Sequence, residues 1–268
     1  MDRRRLKSVI ILILLLMDLF LLGALAYRRT ATRTLQAQAA EELSALFAAD
    51  GIQLDPSVIS QSTPPSGRTL TRDVSLDRKA AAFFLGKALT PFDQGGGIYS
   101  YTSSTGAALF RDNGSFDVAG TLSGKDGPGL CREFCREFHY SDPVSQLDSF
   151  GSGIMTAVRQ YGNLPVFNAA VAFTLEENVV VSVNGILLPE NYTENSDEVP
   201  LSAQAALTSF QLQRRETGAV ASSITGMSLC YEFQSTAASP MALVPSWCLT
   251  TDTVNYYVNC FTGAVSQE

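Results

Sequence analysis

Histidine is nearly absent from this chain: His139 is the only one in 268 residues, so any Ser/His or Cys/His mechanism would have to be built on it. Tryptophan is as scarce, with Trp247 alone. Cysteine is sparse and odd in number, at Cys131, Cys135, Cys230, Cys248 and Cys260, which argues against a disulfide-stapled scaffold in a domain of this size. None of these lies near the end of the N-terminal apolar run, so a lipoprotein anchor has no acceptor. Positive charge is short beyond residue 27, where 15 basic side chains face 24 acidic ones, a net of about −9. Such a surface repels nucleic acid and anionic headgroups.

What the sequence does have is a distinctive start. Arg3, Arg4, Arg5 and Lys7 precede an apolar run over 9–27, and Arg28 and Arg29 follow it. A run of that length predicts a transmembrane helix. No second run of similar length appears, so the expectation is one span carrying an exported domain, with the N-terminus cytoplasmic. An A-x-A-like site at Ala24, Leu25 and Ala26 offers cleavage as the competing reading, but the apolar core is longer than a usual signal segment. Asp18 sits at the midpoint of the run, where an acid costs about 3 kcal/mol on insertion scales. Its expected role is to pair with a polar group on a partner helix.

Beyond the run, the pattern alternates between helical and strand periods. Helices are expected over 34–49, 77–89 and 130–138, near 154–161, and around Ala203, Ala206, Leu207 and Phe210. Strands are expected over 97–102, 107–111 and 115–118, then as a hairpin of 166–175 with 178–188, and finally over 222–233, 241–250 and 255–261. Pro64 and Pro65 mark a linker. The predicted fold class is α+β: one N-terminal transmembrane helix followed by an extracytoplasmic domain of two helix-plus-antiparallel-sheet units. The expected boundaries are a cytoplasmic N-terminus at 1–8, the span at 9–27, a juxtamembrane helix and linker at 28–66, a first unit at 67–150 and a second at 151–268.

Candidate chemistry is thin. Cys131, Cys135 and His139 recur four apart, but along a helix the first and third lie about 12 Å apart, so they cannot share one ion. They read as buried small side chains on a core face. Cys248 and Cys260 fall on neighbouring predicted strands and could pair if the register allows. Gly95, Gly96 and Gly97 follow a helix instead of opening one, which favours a turn over a phosphate cradle. The loop with Glu194, Asp197 and Glu198 lacks calcium-loop spacing, and the sequon at Asn191, Tyr192 and Thr193 matters only in a eukaryotic secretory pathway. Trp247, Tyr256 and Tyr257 could form a peptide-binding surface of the domain, with core packing as the alternative.

The last 28 residues carry a more specific pattern. Val244, Pro245 and Trp247, then Tyr256, Tyr257, Val258 and Asn259, and finally Thr262 and Gly263 resemble the closing motif of the YycI family. The basic start, the single apolar run with a polar residue near its middle, and the hairpin around 165–189 are similar too, so the resemblance covers the N-terminal run and most of the second half. It implies a regulator without catalytic residues, cofactor or metal. Its implied partners are a YycH-like protein and a cell-wall sensor histidine kinase of Gram-positive bacteria, reached through transmembrane and extracytoplasmic contacts. The same ending resembles PepSY-like modules more loosely, which implies an extracytoplasmic peptide-binding or protease-inhibitor module as the alternative.

Overall fold

The computed structural model describes residues 3–86, 89–122, 126–195, 198–217, 220–236 and 239–267, with side chains in all of these except 3–14, 24–33, 36, 216, 217, 236, 239 and 240. The chain opens with a long helix, α1 (Arg3–Ala49). Gly51, with φ of 77°, supplies the left-handed residue that lets a helix stop, and the Ile52 N–H donates back to the Phe47 carbonyl at 2.9 Å. A short strand β1 (Gln53–Leu54), a 3-10 turn at Pro56–Val58 and β2 (Gly67–Leu70) lead to α2 (Val74–Leu85). Asp73 caps α2 by accepting from the Ser75 N–H at 2.9 Å, as short polar residues do at helix starts.

A meander follows: β3 (Phe92–Gly95), β4 (Ile98–Thr102), β5 (Gly106–Phe110) and β6 (Ser115–Gly120). Next come α3 (Gly127–Glu137), capped by Asp126, and β7 (Val144–Leu147), β8 (Gly153–Tyr161), β9 (Leu164–Glu176), β10 (Val179–Ile186) and β11 (Tyr192–Asn195). The chain ends with α4 (Ala203–Thr217), β12 (Ser223–Thr236), β13 (Ser239–Thr251), β14 (Asn255–Asn259) and β15 (Val265–Gln267).

All fifteen strands belong to one mixed sheet, whose main path runs β11-β2-β13-β12-β9-β10-β6-β5-β4-β3. The two halves of that path meet at a narrow seam. There β9 and β12 are joined by a single parallel pair, Val166 with Tyr231. The Asn168 side chain extends the ladder by one step: its amide donates to the Phe233 carbonyl at 2.8 Å, and its carbonyl accepts from the Phe233 N–H at 2.7 Å.

Three clusters of buried side chains follow from this layout. One lies between α2, α3 and the sheet of β4–β10, centred on Phe134, whose ring sits 4.5 to 6.2 Å from those of Phe84, Phe116, Phe138, Tyr140 and Phe173. A second packs the C-terminal turns of α1 and helix α4 on β12–β14, with Phe47 and Phe210 stacked and Trp247 fully buried. The third, around Val166, Leu188, Tyr231 and Leu243, fills the seam.

Three expectations are corrected. The two separate helix-plus-antiparallel-sheet units are instead one continuous mixed sheet, because long strands change partners along their length: β13 takes β2 near Ala242 and β14 from Ser246 to Thr250. Parallel pairing also enters, at β9 with β12 and at β1 with β12. The predicted helix near 154–161 is strand β8, whose inward residues Met155, Ala157, Arg159 and Tyr161 alternate with outward ones.

The membrane span is the third correction. Among the described residues, no helix is long and apolar enough to cross a membrane. Within the expected span at 9–27 the backbone is helical throughout, and side chains are described for residues 15–23. That stretch contains Asp18. The apolar run is also one part of a longer helix that continues through Arg28, Arg29 and Arg33 to Ala49. The single-pass membrane placement, with its cytoplasmic N-terminus and extracytoplasmic domain, falls with the span.

Candidate functional site

Arg159 occupies an inward position of β8, where the strand's alternation otherwise places apolar groups. It is 3% exposed. Its guanidinium reaches the end of α3, where Nη1 donates to the Phe138 and His139 carbonyls, and Nη2 donates to the Leu188 carbonyl at 3.2 Å. Phe138 is the C-cap of α3, His139 is the residue after it and Leu188 follows β10, so the cation sits at the negative end of the helix. Nε has no partner. Among the described residues no carboxylate lies within ion-pair distance of Arg159, and burial pulls its pKa below the usual arginine value.

The turn that follows α3 gives the site its second component. His139 has φ of 55°, a left-handed conformation that is uncommon outside glycine and more tolerated by histidine than by most residues. This turn places Nε2 2.9 Å from the Glu190 carboxylate. Tyr140, directly after it, bridges to Arg159 along the backbone and donates its hydroxyl to the Ile186 carbonyl at 2.7 Å.

Arg68 on β2 supplies the third component. Its guanidinium carbon lies 4.2 Å from the Tyr192 ring centre, 5.3 Å from that of Tyr161 and 5.6 Å from that of Tyr231. Arginine over tyrosine faces is a favourable cation–π arrangement. Glu194, opposite Arg68 in the β11–β2 register, stands 3.7 Å away. The Tyr161 hydroxyl donates to the Glu190 carbonyl at 3.0 Å, and burial pushes its pKa to about 12.

These groups line one open cleft of about 1510 Å³ between the outer face of α3, with Arg132, Glu133 and Arg136, and the strand wall of Arg68, Arg159, Tyr161 and Tyr192. A smaller cavity of about 330 Å³ on the far side of His139 shares Arg136, Arg159 and Glu190. The cleft brings together residues from four stretches of chain: 68, 122–142, 159–162 and 190–192.

The residues singled out in the sequence lie elsewhere. Asp18 is exposed on α1, within a stretch whose large apolar side chains are exposed as well, Phe20 at 74%. Trp247, Tyr256 and Tyr257 do not form a surface. Trp247 is fully buried with its indole N–H donating to the Leu201 carbonyl at 3.0 Å, Tyr256 packs 5.0 Å from Phe210, and Tyr257 stacks on Phe167. Trp247 of β13 and Tyr256 of β14 belong to the cluster under α4, and Tyr257 is buried on the opposite face of β14.

Cys131 and Cys135 are free thiols buried among the aromatics of the first cluster, and burial pushes both pKa values to about 12. His139 turns away from them toward Glu190. Among the described residues no group of three metal-ligating side chains is placed to hold an ion. Cys248 and Cys260 are also free thiols; the β13–β14 register sets Cys248 opposite Tyr257 and leaves Cys260 beyond the last pair. Gly96 and Gly97 form the turn between β3 and β4, and Gly95 ends β3. Tyr192 and Glu194 of the acidic loop sit in strand β11, while Asp197 lies outside the described residues.

No family model matches this chain, and no curated protein matches it. The sequence reading missed Arg68 and Arg159. Arg159 was readable in principle, as an arginine at an inward position of an alternating segment, had 153–161 been taken as a strand.

Proposed function

We propose that this chain is a non-enzymatic regulator that docks a segment of a partner protein in the cleft between α3 and β2, β8 and β11. The observation that supports it is the lining of that cleft, an arginine stacked among tyrosines. Arginine and tyrosine are the side chains that most often dominate binding energy at protein interfaces. Tyr161 is already fixed by its hydrogen bond to Glu190, and Arg68 by its contacts with three rings. Little side-chain entropy remains to be lost when a partner docks.

The YycI resemblance supplies the partner class: a sensor histidine kinase, with a YycH-like protein alongside. Regulation then means that the docked state of the kinase differs in activity from the free state, by an amount set by the difference in affinity for its two conformations. The test is co-purification of the full chain with the kinase and the YycH-like protein, comparing wild type with Tyr192→Ala and Arg68→Glu. The reading expects capture by wild type and at least tenfold less by either variant. Equal capture by all three overturns it, and capture of a processed peptide in place of the kinase moves the reading to a PepSY-like peptide binder.

A further inference from the structure

Resting on the docking reading above, we infer that the cleft recognises an oxyanion on its ligand, a carboxylate or a phosphate, through Arg159, Arg68 and Arg136. Arg159 carries the argument. A buried cation without a counter-ion is costly, and the three backbone carbonyls at the end of α3 and after β10 offset that cost only in part, since they engage three of the five guanidinium donors. The remaining positive charge lies under the wall of an open cleft, where low dielectric on one side strengthens its field toward the other.

A second cation flanks the same point. Arg68 lies over Tyr161, two residues along β8 from Arg159; its Nη2 stands 3.7 Å from the exposed Glu194 carboxylate, which a ligand oxyanion would have to displace, and its Nε is without a partner. Arg136, exposed on the last turn of α3, lines both the cleft and the smaller cavity that Arg159 shares.

Four carboxylates border the cleft, and two are already engaged. Asp126 caps α3 through the Gly129 N–H at 2.9 Å, and Glu190 holds His139. Glu133 and Asp142 stand at the exposed rim, and they favour a ligand whose anion is presented inward while its remaining surface is neutral or basic. Guanidinium forks suit such an oxyanion better than lysine would.

The experiment titrates the full chain, by chemical-shift perturbation, with three probes: acetyl-Gly-Glu-Gly amide, its Gln analogue and inorganic phosphate. Wild type is compared with Arg68→Gln and Arg136→Gln, both at partly or fully exposed positions. Emission of the single Trp247, which belongs to the second cluster and does not line the cleft, reports that each variant is folded.

The inference expects saturable binding of the Glu peptide or of phosphate, tenfold or more tighter than the Gln peptide, and reduced at least tenfold in each variant. Preference for the Glu peptide assigns a carboxylate, and preference for phosphate a phosphoryl group. Equal binding of the Glu and Gln peptides without phosphate binding, no saturable binding of any probe, or unchanged binding in both variants overturns it. Kinase capture lost in Tyr192→Ala but insensitive to added phosphate and to Arg136→Gln would remove the oxyanion subsite while keeping the docking cleft. Loss of kinase capture by wild type would remove the docking reading itself.

Discussion

Asp77 and Asp252 respond to pH in opposite directions, and the reason is visible around each carboxylate. Asp77 is buried in the first turn of α2 with Arg72 as its partner. Burial nevertheless raises its pKa above the ordinary value of 3.8. The folded state therefore binds more protons than the unfolded chain above that value, and stability falls as pH rises from about 3.8 through the raised pKa. Asp252 is exposed and accepts from the Ser223 and Ser222 N–H groups, which lower its pKa below 3.8. Its stabilisation is present above 3.8 and is lost as pH falls through the lowered value. Asp252→Asn should thus reduce the acid-side loss of Tm, and Asp77→Asn should flatten the decline above pH 4. Thermal melts between pH 2.5 and 7 check both, and a shift of the two limbs in the reverse sense would refute the assignment. Phe134→Ala should cost about 3 to 5 kcal/mol in urea unfolding, because its ring is the common neighbour of the aromatics in the first core.

Among the elements, the β9–β10 hairpin was the most readable, because Ala169, Val171, Phe173 and Leu175 turn inward at a spacing of two that admits no helix, and Val179 to Val183 follow after a two-residue turn. Strand β8 was misread for an equally physical reason. Ile154, Ala157, Val158 and Tyr161 also fall on one side of a helix, and nothing local to that segment reveals that β9 lies beside it. The arginine site was hidden by the same limit: residues 68, 136, 159 and 192 come together only through strand pairing at long range, which composition and period do not encode.

The docking of α1 on α4 has a polar anchor at its C-terminal end. Asp50, just past the helix, accepts from Arg215 of α4 at 2.7 Å and from Gln211. Asp50→Ala should destabilise by about 1 kcal/mol, as expected for a half-exposed pair. Hydrogen exchange in residues 40–49 should rise more than in β8–β10, and uniform exchange across the chain would show that α1 is not held there.

For the whole molecule, the seam between the two halves of the sheet is the decisive feature. Each half has its own buried cluster, and the join between β9 and β12 is one backbone pair and one asparagine side chain. Asn168→Ala removes two hydrogen bonds at an exposed position and should cost about 1 to 2 kcal/mol. The expected signature in denaturant is separation of the Trp247 emission change, which reports the second cluster, from the far-ultraviolet signal of the whole sheet. Coincident transitions in the variant would mean that the seam cluster around Val166 and Tyr231 holds the halves together without Asn168.

A join this narrow also sets how the protein carries load. Strands β8 to β10 and β12 to β14 are each held by ladders of many hydrogen bonds in shear, whereas the Val166–Tyr231 contact presents one pair to any force that drives the halves apart. A partner pulling on the cleft, whose α3 wall belongs to one half and whose Arg68 and Tyr192 wall belongs to the other, would act as a lever on that weakest line. The cleft and the seam are then two ends of one mechanical element, in which tension at a docked ligand is felt first as a change of angle between the halves of the sheet.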